Sequence, residues 1–337
     1  MRSYKMPPVT SQPAVKVPQS CRSKQQKLRA AGALASSAKV LSGRSGKPIS
    51  IRTVASSPKR CAMNPEQAKF REIATNTVDI LNDQAIRLHG KTIDLKAIID
   101  RCIDNTRFYA PNDAITLQPR AGFFFPDTDI QVIRETSLAA CHRLVREEGK
   151  DHVACLNFAS AVQPGGMFRE GTNTQEDSLA RASALFASLD SDTGKQMYAY
   201  NNQYQYTNRG LYSDTILYSP DVPVFKDDNG NPEEPYLISF ITAAAVDLPY
   251  CKGIKQKTLQ QTMYNRARKI LAVAANNGVK HLILGAWGCG IFGHDAADIA
   301  RLFASLLAED DFKERFVSVS FPITDPQMLR VFKGHLS

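Results

Sequence analysis

Twice in this chain an apolar run of strand length empties into a glycine-bearing loop and then into a helix. That repetition limits the fold more than any other feature. The first passage is Leu156 to Leu189, LNFASAVQPGGMFREGTNTQEDSLARASALFASL. Leu179, Ala182, Leu185, Phe186 and Leu189 recur at roughly helical spacing, and Thr172 or Thr174 stands where it can cap the first turn. The spacing predicts one helix running to Leu189, with Glu176 and Asp177 near its amino end. Carboxylates there complement the helix dipole, and on that ground alone they need no further role. The preceding loop supplies a second reading, because Gly165 and Gly166 let a ligand approach the backbone closely.

The second passage starts at Leu282-Ile283-Leu284 and places Gly285, Gly288, Gly290 and Gly293 within nine residues, ahead of a helix expected over Asp295 to Leu307. Successive amides freed of side-chain bulk form an anion nest, and the helix behind them adds a positive end. The functional reading is a diphosphate cradle over Gly288, Cys289, Gly290, Ile291, Phe292 and Gly293; a tight structural connection is the alternative. The loop lies too near the carboxyl end for a dinucleotide fingerprint, and without a following Lys-Ser or Lys-Thr it is not a P-loop. Phe292 is placed to stack on a sugar or base, or else to pack in the core. Trp287 reads as packing, and Cys289 lacks the basic neighbour that a nucleophilic thiol needs.

The rest of the chain supplies the scaffold. Asn64-Pro65-Glu66 reads as an N-cap, a proline at the first helical position and an early acid, followed by an apolar face from Phe70 to Leu81. Further helices are expected over Leu95 to Asn105, Leu138 to Glu147 and Leu259 to Ala275, and strands over Ile115 to Leu117, Ile130 to Ile133 and Val153 to Phe158. Thr215 to Tyr218 reads as a strand stopped by Ser219-Pro220-Asp221-Val222-Pro223, and residues 227–232 as a turn. Tyr236 to Ala245, His281 to Leu284 and Phe316 to Phe321 complete the strands. Strands alternating with helices imply an α/β fold with a mixed, mainly parallel central sheet covered on both faces. Ligands bind such sheets where strands end and loops begin, so both glycine loops can lie at that edge.

The formal charge of +9 belongs to one end. Residues 1–60 hold 13 Lys and Arg and no Asp or Glu, leaving 29 basic against 33 acidic residues in the remainder. Residues 1–62, rich in Ser and Pro as well, read as a disordered basic tail. Composition leaves three uses for it: a plain tail, an organelle transit peptide of the mitochondrial kind, or a contact with polyanions. No apolar run reaches the ~20 residues that a membrane span needs, so no membrane contact is expected. Seven cysteines without C-x-x-C spacing, and six histidines without a zinc-binding pattern, predict reduced thiols in an intracellular protein, cytoplasmic or nuclear, and no metal.

From about Asn64 to Asp325 the chain resembles the microbial-type poly(ADP-ribose) glycohydrolases, a branch of the macrodomain superfamily. The resemblance rests on Asn157-Phe158-Ala159-Ser160-Ala161, Pro164-Gly165-Gly166, Gln175-Glu176, residues 218–225 (YSPDVPVF), Ile241-Thr242-Ala243 and residues 285–293 (GAWGCGIFG). It implies a macrodomain-like three-layer α/β/α domain over residues 63–337, with N-terminal accessory helices in residues 63–125. The family signature is three glycines, a spacer of six to eight residues, then Gln-Glu-Glu. Here the seven-residue spacer fits, but Met167 replaces the third glycine and Asp177 the last glutamate.

By resemblance, Asp177 is the catalytic acid and base and Glu176 helps to hold the substrate's ribose. Asn157, Ser160, Gly165, Gly166 and Gln175 then bind substrate at the first loop, and residues 288–293 cradle the diphosphate. The expected partners are ADP-ribose or poly(ADP-ribose) and ADP-ribosylated proteins, with no cofactor. Glu to Asp draws the carboxyl back by one methylene, about 1.5 Å, and a misplacement of ~1 Å can cost about 10²-fold in rate. Three functions therefore stay open: an ADP-ribosyl hydrolase, a binding-only reader of ADP-ribose, and a hydrolase redirected to another ADP-ribose linkage.

Overall fold

The computed structural model describes residues 64–119, 125, 127–204 and 210–336; the expected tail, residues 1–62, lies outside them. The chain enters the described region through helix α1 (Pro65–Asp83), where the Asn64 side chain accepts the Glu66 amide at 3.1 Å and Pro65 occupies the first turn. A hairpin of β1 (Ala85–Leu88) and β2 (Lys91–Asp94) follows, turning on His89 and Gly90, both at positive φ. Helix α2 (Lys96–Asp104) and strand β3 (Arg107–Tyr109) complete this part. The expected strand at Ile115–Leu117 does not form. Its backbone bonds go instead to the Asn276 side chain, which accepts from the Gln118 amide at 3.0 Å and donates to the Thr116 carbonyl at 2.9 Å.

The central sheet has seven strands in the order β3-β6-β7-β5-β8-β9-β4. Its members after β3 are β4 (Asp129–Ile133), β5 (Val153–Phe158), β6 (Ile216–Lys226), β7 (Pro232–Ala243), β8 (His281–Ile283) and β9 (Ser318–Pro322). The neighbours from β7 through β5, β8 and β9 to β4 pair in parallel, while β6 is antiparallel to both β7 and β3. The sheet is thus mixed and mainly parallel, as the alternation of elements predicts.

Both faces of the sheet are covered. On one, Ala154, Leu156, Ile241 and Val319 pack against α7 (Gln256–Asn276), α8 (Ala296–Leu307) and α9 (Pro326–Leu336). On the other, Val153, Cys155, Phe240 and Ile283 pack against α2 and against α3 (Ser137–His142), α4 (Gln175–Ala182), α5 (Leu185–Leu189) and α6 (Asp192–Tyr204). Alternate residues of β5 enter opposite cores, which explains its unbroken apolar run. Each large side chain so buried contributes about 1.5–3 kcal/mol. Truncating Phe303, which is fully buried between Trp287 and Phe321, would cost about 3–5 kcal/mol.

Several boundaries differ from the sequence reading. The helix expected over Leu138 to Glu147 widens into a π-helix at Arg143–Glu147, and β7 begins at Pro232 rather than Tyr236. Two further differences trace to β6. The expected single helix to Leu189 breaks at Ser183, which is extended, bridges Val224, and accepts the Leu185 amide on its hydroxyl. Pairing with β6 overrides the helical periodicity there. Strand β6 in turn runs through Pro220 and Pro223 instead of stopping, with a register shift between Ser219 and Val222 and Asp221 at φ 50°. Strand β3 covers only residues 216–218 of β6, so both prolines lie where that edge has no other strand to bond.

Candidate active site

Helix α4 begins one residue after Thr174, whose hydroxyl accepts the Asp177 amide at 3.3 Å. Asp177 answers by accepting from both the Thr174 amide and its hydroxyl, each at 2.8 Å, on Oδ2. This reciprocal capping box turns the start of the helix into a rigid mount. The other oxygen, Oδ1, accepts the Met167 amide at 3.0 Å, so both oxygens are held by protein donors. Asp177 is 1 % exposed.

Glu176 is also buried, but its environment differs. Oε1 accepts the Asn157 side-chain amide at 3.2 Å, and Oε2 accepts the Ser160 amide at 2.7 Å. Burial, aided by the neighbouring Asp177 charge and only partly opposed by these donors, pushes the Glu176 carboxyl up to about 8. At neutral pH it therefore carries a proton for much of the time. Gly166 closes the arrangement. With φ +62°, a Cβ there would lie 2.9 Å from Asp177 Oδ1 and 3.1 Å from Glu176 Oε2. Only a glycine fits between the backbone and the two carboxyls.

Gln175, expected to bind substrate, is spent on the scaffold. Its oxygen accepts the Phe158 amide, and its nitrogen donates to the Leu156 carbonyl and to the Ser137 hydroxyl. It ties α4 to the end of β5. Asn157 keeps a free function: its amide nitrogen donates to Glu176 and Thr242, while its buried Oδ1 has no partner among the described residues. A buried acceptor left open costs stability, and a ligand hydroxyl would satisfy it. The Ser160 hydroxyl accepts the Val162 and Gln163 amides, shaping the turn that leads to Gly165 and Gly166.

The second loop leaves β8, which pairs in parallel with β5 (Cys155 opposite Ile283), so the two loops leave the same edge of the sheet side by side. It is pinned at both flanks. Trp287, fully buried as expected, donates its indole N–H to Ala243 at the end of β7, and His294 donates to the Val246 carbonyl through Nε2. Between these anchors, the amides of Gly290, Ile291 and Phe292 find no acceptor among the described residues. Asp295 caps α8 just behind them. Phe292 is half-buried, with its ring 6.4 Å from that of Tyr212, and Ile291 is 77 % exposed. Burial pushes the Cys289 thiol up to about 12, far from nucleophilic use.

All the residues singled out in the sequence thus fall on two adjacent loops and the strand and helix flanking the first. Sequence reading missed Arg181 and Phe70, which secure the first loop from behind, and the main-chain amide of Met167. Nothing in local spacing marks Arg181; its partner Phe70 lies on a helix more than a hundred residues away in the chain.

The sequence of residues 74–227 matches the microbial-type poly(ADP-ribose) glycohydrolase catalytic domain. Among solved structures, poly(ADP-ribose) glycohydrolase from Thermomonospora curvata superposes with a TM-score of 0.74 at 37 % identity, covering 80 % of this chain and 99 % of that one. The same protein bound to the inhibitor ADP-HPD gives 0.71 at 37 % identity, over 79 % and 99 %. The Deinococcus radiodurans enzyme in complex with ADP-ribose gives 0.63 at 36 % identity, over 75 % and 99 %. A search of curated proteins finds no significant match. Identity at this level over nearly the whole length of both enzymes, joined to the superposition of the folds, settles the assignment: the chain belongs to the microbial-type poly(ADP-ribose) glycohydrolase family.

Proposed function

We propose that the protein hydrolyses ADP-ribosyl O-glycosidic bonds, in poly(ADP-ribose) or in protein-linked ADP-ribose, and releases ADP-ribose by general acid/base catalysis. The observation that carries this reading is the pair of buried carboxyls packed against Gly166, one of which, Glu176, holds its proton near neutrality. Glycosidic cleavage needs a proton on the leaving oxygen as the C–O bond breaks, with the electron pair departing to that oxygen. Glu176 gives the proton. Its carboxylate then takes one from the water that attacks the oxocarbenium-like carbon, which restores the acid.

This reading moves the proton step from Asp177, where family resemblance puts it, to Glu176. Asp177 already has three protein donors on its carboxylate, which occupy both of its oxygens. It serves as the fixed negative neighbour that helps to keep Glu176 protonated. The diphosphate rests on the open amides of residues 290–292, and Asn157 Oδ1 accepts from a ribose hydroxyl. That complexes of the two related enzymes hold ADP-ribose or ADP-HPD supports this ligand class.

The same saturation of Asp177 favours a second reading, a reader that binds ADP-ribose without turning it over. Purified protein is incubated with poly(ADP-ribose) and with mono-ADP-ribosylated protein, beside Glu176→Gln, Asp177→Asn and Asp177→Glu. Release of ADP-ribose by wild type and its loss in Glu176→Gln is the expected result. Tight ADP-ribose binding with no release would establish the reader. Full activity in Glu176→Gln with none in Asp177→Asn would return the proton step to Asp177.

A further inference from the structure

We propose that helix α1 is a brace for the carboxyl pair, with Phe70 and Arg181 as positioning residues that fix the loop holding Asp177. The turnover part of this inference rests on the hydrolase reading; the geometric part does not. Arg181, on α4, is 5 % exposed, yet its guanidinium makes no ion pair with a carboxylate among the described residues. It donates to the Thr172 carbonyl and, at 2.6 Å, to Asn173 Oδ1, and it lies 4.3 Å over the Phe70 ring of α1. A guanidinium buried with no carboxylate in direct contact, and only the more distant charges of Asp177 and Asp228 to offset its desolvation, is costly, and a packed apolar side chain would hold two helices together at less cost. What the arginine adds is a planar fork of donors aimed at one loop.

Helix α1 touches the two residues that precede those held by Arg181, Glu170 and Gly171. The Gln67 side chain donates to the Glu170 carbonyl at 3.0 Å. Gly171, at φ +80°, sits so close that a Cβ would lie 2.1 Å from the Gln67 carbonyl oxygen and 3.0 Å from the Arg71 nitrogen. Thr77 donates its hydroxyl to the Arg181 carbonyl and receives the buried Lys226 ammonium at 2.6 Å, which locks α1 to both α4 and β6.

Residues 170–173 are therefore gripped one after another, and they connect the two places where Asp177 is held. Upstream is the Met167 amide, with the Met167 carbonyl accepting the Thr172 hydroxyl at 2.8 Å; downstream is Thr174. Slack in this segment would loosen Asp177 first and Glu176, its neighbour around Gly166, next.

The test uses the full chain with Gln67→Ala, Phe70→Leu, Arg181→Lys and Gly171→Ala. Hydrogen exchange at the Met167 and Thr174 amides is read beside that of β5 and α7, with ADP-ribose affinity and kcat. We expect exchange at the two loop amides to rise at least tenfold, kcat to fall at least tenfold, and ADP-ribose Kd to stay within threefold. Arg181→Lys, which keeps charge but loses fork and stack, should behave like the others. Because Gly171→Ala forces backbones apart, Gln67→Ala, which deletes one side-chain bond, keeps the test open should the former unfold. Unchanged loop exchange in all soluble variants overturns the brace, as does a uniform rise that includes β5 and α7, the sign of a merely structural role. If wild type itself releases no ADP-ribose, the hydrolase reading fails while the exchange result still decides the brace.

Discussion

The two glycine loops leave neighbouring parallel strands and both run into capped helices, yet they end in opposite states. The loop before α4 has spent its polar groups inwardly: three donors converge on Asp177, two on Glu176, and α1 grips the residues between. The loop before α8 is fixed at its flanks and left open at its tip, where three consecutive amides have no acceptor among the described residues and Gly290, Ile291 and Gly293 are exposed. Preorganised charge belongs where a reaction must occur without rearrangement, and unspent donors belong where a ligand must be received. On the proposed hydrolase reading, chemistry and binding are divided between the two glycine loops, and substitutions in each should separate the corresponding rate and affinity terms.

The largest effect should follow from Glu176→Gln, which keeps the size and the hydrogen-bonding shape but removes the transferable proton. A fall in kcat of about 10²–10⁴ is expected, with ADP-ribose Kd within about threefold of wild type. Wild-type kcat/KM should fall as pH rises through about 8, because the proton donor is lost there, and Glu176→Gln should abolish that limb. A flat profile from pH 6 to 9 in wild type would remove Glu176 from the proton step. Gly166→Ala comes next. The new methyl forces a residue at φ +62° against Asp177 Oδ1, and a displacement of the carboxyls by ~1 Å should cost about 10²-fold in kcat. Steady-state kinetics together with a melting curve separate this from global unfolding.

On the open loop the expected effect is smaller and of the other kind. Gly288 has φ +83°, and a Cβ would lie 2.9 Å from the His294 ring and 3.0 Å from Ala245. Gly288→Ala should therefore tilt the amides that follow and weaken ADP-ribose binding by roughly tenfold, about 1.4 kcal/mol, while kcat at saturation stays within a few-fold. Gly290, whose virtual Cβ meets nothing within 4 Å, serves as the comparison: Gly290→Ala should leave stability unchanged. Calorimetric titration of ADP-ribose checks the first and a melting curve the second, and loss of kcat without loss of affinity in Gly288→Ala would erase the distinction between the loops.

Much of this was legible in the sequence, for physical reasons that can be named. The β5 run is continuous because alternate residues enter two cores, and the Asn64-Pro65 and Asp295 caps announce their helices locally. Elements decided by distant partners were not legible. Ser183 breaks a helix that its periodicity supports because Val224 offers it a bridge, and β6 survives two prolines because β3 stops short of them. The site follows the same rule. The two acids and both glycine loops could be picked out from composition and order, whereas the unequal surroundings of Glu176 and Asp177 depend on Asn157, Ser160 and Met167, which only folding brings to them. Equally, nothing local announces that Gln175 ties α4 to β5 through Leu156 and Phe158 and reaches Ser137.

The smallest predicted effect concerns the foundation of the braced loop. Lys226 is 1 % exposed and gives its ammonium protons to the Ile73 carbonyl and the Thr77 hydroxyl, with no carboxylate bonded to it among the described residues. Burial therefore lowers its affinity for a proton, from 10.5 to about 8. Between these values the unfolded chain binds more protons than the folded one, so stability must rise with pH across that window. Equivalently, the contribution is present in full above about 10.5 and is lost as pH falls through about 8. Glu176 works in the opposite sense, since a carboxyl raised to about 8 makes the fold less stable as pH climbs from 4.5 toward 8. The two windows adjoin without overlapping. Chemical denaturation of the full chain from pH 8 to 10 should show Lys226→Met losing a stabilising slope on the order of 1 kcal/mol, whereas Glu176→Gln should change only the slope below 8. If the Lys226→Met slope matches wild type, the ammonium at α1 is solvated in solution and α1 is held to β6 by packing alone.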